Sequence, residues 1–180
     1  KSYADKTFIG FKRFWNNDEG YCYDVIDGPN EADSSLRPNQ LFAVSLPISP
    51  LTREQQIMVV DICSRKLLTS YGLRSLTPDN LDYKGIYRGN PSERDGAYHQ
   101  GTVWGWLLGH FALAHFRVYK DHVKAIEYLE PIFQNLNTHG IGSLSEIFDG
   151  DAPHNPKGCI AQAWTVAETL RAYVDINKSD

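Results

Sequence analysis

The 180-residue chain has no apolar run near the roughly 18 residues a membrane span needs, no low-complexity tract and no internal repeat. Cysteine is scarce. Cys22, Cys63 and Cys159 are far apart and odd in number, which excludes a disulfide framework and a CxxC metal site and fits a reducing, cytoplasmic compartment. Basic residues are also few: 18 Lys and Arg against 22 Asp and Glu leave a net charge of −4 and a pI near 5.8. Binding to nucleic acid phosphates needs clustered Lys and Arg, so a nucleic-acid partner is not expected. The chain begins with Lys rather than Met, and its charged start Lys-Ser-Tyr-Ala-Asp-Lys lacks a signal peptide's apolar region. Any targeting segment is expected outside it.

Several chemistries lack their residues too. No glycine loop is built to cradle phosphates, and Ser143 and Ser145 stand outside any nucleophile-elbow context. Neither His110 with His115 nor His99 with the Asp pair has a metal-ligand spacing. Asp149-Gly-Asp151 resembles the start of a calcium loop, but the later ligands, including the distal Glu, are missing. A hydrophobic content of 42% with 22% charged residues is that of an ordinary folded domain long enough to bury a core. Aromatic residues reach 12%, enough to line a sugar site as well as fill a core.

The periodicity is mainly helical. Ala4, Phe8, Phe11 and Trp15 predict a first helix, and Tyr21 to Ile26 predicts a strand or extended segment. A polar loop runs through Arg37-Pro38-Asn39-Gln40, before a short helix over Leu41 to Leu46. Thr52-Arg-Glu-Gln55 is a capping box, and Met58, Val59, Ile62, Cys63 and Leu67 share a face until Tyr71-Gly72 offers a stop. Leu73 to Gln100 reads as a long irregular segment whose Tyr83, Tyr87 and Tyr98 argue for order. Helices are then expected within Gly101 to Tyr119 and after Asp121, with Pro131 kinking the latter or marking its true start. Ile160, Trp164, Ala167, Leu170 and Val174 predict the last apolar helical face. The fold class expected is all-α, with long loops between the helices.

Three polar clusters could carry chemistry: Arg37-Pro-Asn-Gln40, Arg94 to Trp104, and the glycine-flanked acids Glu146, Asp149 and Asp151. Arg, Asn, His and Gln supply the directional donors and acceptors that bind hydroxyl groups, yet the same residues commonly cap helices and pin loops. A carboxylate on a loop before a helix can serve as a general acid or base; it can equally belong to an ordinary Asp- and Gly-rich turn.

The order of these clusters carries more information than any one of them. Arg37-Pro-Asn-Gln40, Gly72-Leu-Arg-Ser-Leu-Thr-Pro78, Tyr83-Lys-Gly-Ile-Tyr-Arg-Gly89, Arg94-Asp95, Tyr98-His-Gln-Gly-Thr-Val-Trp104, Gly142-Ser-Leu-Ser-Glu-Ile-Phe-Asp-Gly-Asp151 and Gly158-Cys-Ile-Ala-Gln-Ala-Trp164 together resemble the C-terminal part of the amylo-α-1,6-glucosidase domain of glycogen debranching enzymes. The resemblance covers nearly the whole chain. It implies an (α/α)6 toroid of helical hairpins with long pocket-lining loops, of which residues 1–180 would form one partial domain completed by the N-terminal remainder of the same polypeptide.

The resemblance further implies an inverting glycosidase, whose two carboxyl groups stand about 6.5–9.5 Å apart to admit a water. Glu146 would be the general base, and the general acid, an Asp, would lie upstream of Lys1. Arg37, Asn39, Gln40, Asp95, Tyr98, His99, Gln100 and Trp104 would shape the glucose pocket. The implied substrate is an α-glucan such as glycogen or limit dextrin, with no metal or organic cofactor. Two other readings are a noncatalytic α-glucan-binding module and another (α/α)6 hydrolase, such as an invertase-like enzyme. Part of a toroid would also expose apolar surface and favour self-association.

Overall fold

The structure, a computed structural model, describes residues 2–29 and 31–178. In chain order its elements are α1 (Tyr3–Gly10), β1 (Trp15–Asn16), β2 (Tyr21–Cys22), β3 (Val25–Gly28), β4 (Glu31–Asp33), α2 (Phe42–Ser45), α3 (Arg53–Lys66), β5 (Leu73–Arg74), α4 (Pro91–Ala97), β6 (Val103–Trp104), α5 (Leu107–Tyr119), α6 (His122–Glu127), α7 (Glu130–Asn135), β7 (Ile147–Phe148), β8 (Pro156–Lys157) and α8 (Ala163–Asn177). Short 3-10 turns occupy Phe11–Phe14 and Pro38–Leu41. No helix among the described residues is long and apolar enough to cross a membrane.

An all-α description is therefore too coarse. Helices predominate, but β1–β2 and β3–β4 are antiparallel pairs, and β5-β6-β7-β8 is a four-stranded antiparallel sheet. Its central strands pair Trp104 with Ile147 and Val103 with Phe148. Each of its strands is two residues long, too short for an alternating pattern to register in sequence.

Helix α3 is capped as its residues dictate: Thr52 Oγ1 accepts from the Gln55 N–H at 3.3 Å, and Gln55 Oε1 accepts from the Thr52 N–H at 3.0 Å. It ends at Lys66. Tyr71-Gly72 instead forms the turn into β5, where the backbone approaches so closely that a Cβ on Gly72 would lie 2.3 Å from the Trp104 carbonyl oxygen. The expected first helix breaks at Gly10 into a 3-10 turn, and Trp15 joins β1. Pro131 starts α7 rather than kinking one long helix, because it sits in the first turn where no N–H is needed. Asp121 caps α6 through the Lys124 N–H at 2.9 Å.

The segment expected to be irregular contains β5 and α4. Asn90-Pro-Ser-Glu93 is a capping box with Pro in the first turn: the Asn90 side chain accepts from the Glu93 N–H, and Glu93 Oε2 from the Asn90 N–H.

Helix α5 is the centre of the molecule, buried from Leu107 through His115. Phe111 and Ala114 face a cluster holding Leu41, Val59, Cys63 and Leu67. Leu108 and Ala112 face a second cluster with Leu129, Ile132, Ala172 and Ile176. A helix covered on both sides has to be apolar nearly all round. Helix α8 packs on α5 through Thr165, Thr169, Ala172 and Ile176, which are buried. The face expected to be buried is the opposite one: Ile160, Trp164 and Leu170 are exposed at 55%, 44% and 57%.

Candidate active site

The four-stranded sheet assembles the site. It draws Trp104 on β6, the residues entering β7 and those leaving β8 together, although Trp104 lies more than forty residues before the other two. Glu146 directly precedes β7 and is half-buried. Its Oε2 accepts from the Cys159 N–H at 2.8 Å, and its Oε1 accepts from the Tyr98 hydroxyl. Burial first, and then the Glu146 carboxylate beside it, push the Tyr98 hydroxyl above its ordinary range, so it remains a donor.

The three acids of the loop are not alike. Asp149 is 2% exposed; its Oδ1 accepts from the Tyr87 N–H at 2.9 Å, and Asn155 Nδ2 donates to Oδ2 at 3.4 Å. Asp151 is exposed and accepts from the Tyr83 hydroxyl at 2.9 Å; burial, then this bond, push Tyr83 up to about 12. Both tie the Tyr83–Tyr87 segment to the loop. Glu146 is tied instead to Tyr98, whose ring packs against Trp104 in the cleft wall.

That cleft, about 290 Å³, is lined by Arg37, Pro38, Asn39, Ser75, His99, Trp104, Trp106, Leu107 and Trp164. Aromatic faces dominate it. His99 lies parallel on Trp104 with ring centroids 5.2 Å apart, Trp164 stacks on Trp106 at 5.2 Å, and Trp164 meets Trp104 edge to face at 5.8 Å. Beneath Trp106, His110 Nδ1 lies 2.9 Å from Ser45 Oγ, and His110 Nε2 lies 3.1 Å from Glu168. A neutral ring with its proton on Nε2 satisfies both contacts, and burial, outweighing Glu168, lowers the imidazole's pKa.

The residues expected to shape the pocket divide into groups. Arg37, Asn39, His99 and Trp104 line the cleft. Arg37 also binds the protein itself: it donates to the Ser75 and His99 carbonyl oxygens at 3.0 and 2.6 Å and to Gln100 Oε1 at 2.7 Å, with Asp24 at 3.5 Å. It thereby pins the Tyr98–Gln100 turn against Ser75. Asn39 donates to Asp24 at 2.8 Å and remains exposed.

Gln40 is turned away from the cleft. It is 8% exposed, accepts from the Cys22 N–H at 3.1 Å and donates to the Arg37 carbonyl oxygen at 3.2 Å. Asp95 is exposed on α4 and is not a lining residue of the cleft. Tyr98 and Glu146 are not lining residues of the cleft; the Tyr98 ring packs against Trp104 and His99 at 4.8 and 5.0 Å.

Trp106 and Trp164 were not among the expected pocket residues. Trp106 stands two residues after Trp104, a spacing that could have marked it; Trp164 carried a helical periodicity that placed it on a buried face.

The sequence model of the family Amylo-alpha-1,6-glucosidase matches residues 1–171. The glycogen debranching enzyme of Saccharomyces cerevisiae is 34% identical over 169 residues, covering 80% of this chain and 11% of that protein. The chain thus spans about a tenth of that relative's length. Among solved structures, the GH63 mannosylglycerate hydrolase of Thermus thermophilus in complex with glucose superposes with a TM-score of 0.67 at 14% identity, over 95% of this chain and 39% of that one. The neutral trehalase of Saccharomyces cerevisiae gives a TM-score of 0.56 at 14% identity, over 98% of this chain and 30% of that one. At such identity the two superpositions describe the fold alone. With nearly its whole length matched by the family's sequence model, the chain is a member of the amylo-alpha-1,6-glucosidase family.

Proposed function

We propose that this chain is part of a glycoside hydrolase that releases α-1,6-linked glucose at the branch points of an α-glucan such as glycogen, working in a reducing, cytoplasmic compartment. Residues 1–180 would form one part of an (α/α)6 toroid, with the rest of the polypeptide closing it. The observation that carries the reading is the separation of the three acids: Asp149 and Asp151 hold the Tyr83–Tyr87 segment, and half-buried Glu146 is tied instead to Tyr98, whose ring packs against Trp104 of the cleft wall.

In the proposed reaction Glu146 takes a proton from a water as that water attacks the anomeric carbon, and a general acid outside this chain protonates the leaving oxygen. Atoms balance as one glucose of inverted configuration and a glucan shortened by one residue. The free face of Trp164, backed by Trp106 and set edge-on to Trp104, suits the C–H face of a sugar ring, and Asn39 is placed to meet its hydroxyl groups.

Glu146→Gln in the intact polypeptide tests the assignment. Hydrolysis of an α-1,6-glucosyl oligosaccharide should fall by about 10²- to 10⁴-fold, the span that general-base catalysis contributes, with substrate binding retained. Near-normal glucose release would sink it.

A further inference from the structure

Glu146 is held by donors from two different parts of the fold. Tyr98, at the C-terminal end of α4, puts its hydroxyl on Oε1, and the backbone N–H of Cys159, just beyond β8, lies on Oε2 at 2.8 Å. Gly158 closes in from the same side as Cys159. Its φ of +67° favours glycine, and an added Cβ would lie 2.5 Å from Oε2. The Tyr98 ring is itself fixed: it packs against Trp104, His99 and Tyr87, and its carbonyl oxygen accepts from Trp104 Nε1 at 3.1 Å.

We infer that Tyr98 is a positioning residue for Glu146 rather than a substrate contact, and that its hydroxyl and the Cys159 N–H form a two-point clamp aiming the carboxylate at the attacking water. This rests on Glu146 being the general base. A phenol has one proton to donate, and here it goes to Oε1, so no donor remains for a sugar hydroxyl. A carboxylate has about four acceptor positions, and one donor on each oxygen leaves one lone pair free on each. With both ends held the group cannot swing about its last torsion. The direction of the free lone pairs is then set by the protein before substrate arrives, which is where positioned groups gain their advantage.

Donors to a carboxylate favour its charged form, so removing one raises the pKa of the base. Tyr98→Phe, which keeps the ring and its packing, should lower kcat on an α-1,6-glucosyl oligosaccharide by about 10- to 100-fold in the intact polypeptide. It should leave KM within about twofold and move the acid limb of kcat/KM up by about one pH unit. Substituting 3-fluorotyrosine at Tyr98, a stronger donor of nearly the same shape, should move that limb the opposite way. Gly158→Ala, pressing on the carboxylate from the other side, should lower kcat without a matching rise in KM.

A raised KM with unchanged kcat and limb would make Tyr98 a substrate contact and overturn the inference, as would no change in any of these quantities. Should Tyr98→Phe not fold, the fluorotyrosine protein decides: an unmoved limb overturns the clamp. If Glu146→Gln is inactive while Tyr98→Phe behaves as wild type, the clamp alone fails. If Glu146→Gln remains active, the base assignment fails with it.

Discussion

Trp164 shows how far a residue's role depends on what it faces. It is 44% exposed, stacked on Trp106 and set edge-on to Trp104, so its free face is part of the cleft wall. An aromatic contact of this kind is worth about 1 kcal/mol beyond burial. Trp164→Ala should therefore raise KM for an α-glucosyl oligosaccharide by about 3- to 10-fold, with kcat little changed and the fold intact by circular dichroism. Unaltered KM would remove Trp164 from the site. At the same scale Glu146 became the candidate base only through the resemblance, which rests on several motifs in one order and assigns it by its place in Ser-Glu-Ile-Phe-Asp-Gly. The resemblance set Glu146 apart from Asp149 and Asp151, but the contacts that hold each acid were not legible, because they come from Tyr98, Tyr87 and Cys159, which lie far off or act through the backbone.

At the scale of elements, caps were the clearest local signals. The Thr52 and Asp121 caps are made as their side-chain chemistry requires, and the Asn90–Glu93 box follows the same rule although the segment containing it reads as irregular. Packing between elements was harder to anticipate. Helix α8 has an apolar stripe and a face of small and hydroxyl residues, and the second is the one that meets α5. The reason is a close approach: at Gly109 an added Cβ would lie 2.3 Å from the Glu168 carbonyl oxygen. Gly109→Ala should push α5 and α8 apart and cost about 1–3 kcal/mol, read as a lowered midpoint in denaturant with an unchanged slope. A midpoint equal to wild type would show that the helices are not closely fitted there.

For the whole molecule, the consequence of that inversion is an open apolar strip. Ile160, Trp164, Leu170 and Tyr173 stand exposed at 55%, 44%, 57% and 41% along and just before α8, and Ile141, whose neighbour Gly140 lies against Ile160, is also exposed. Exposed apolar surface favours association. The isolated 180-residue chain should therefore self-associate, with a sedimentation coefficient that rises with concentration. A clean monomer at every concentration would count against this.

The sequence by itself determined most of the helices and their caps, which are written in residues close together, and the family, through the order of motifs along nearly the whole chain; it nominated Glu146 through that resemblance. Only the tertiary structure decided the four-stranded sheet, the burial of Gln40, the inner face of α8 and the setting of Glu146. Those depend on contacts between distant segments: two-residue strands show no period, and a close backbone approach is set by the partner that a helix meets. The carboxylate is a local feature of the sequence; its aim is a property of the fold.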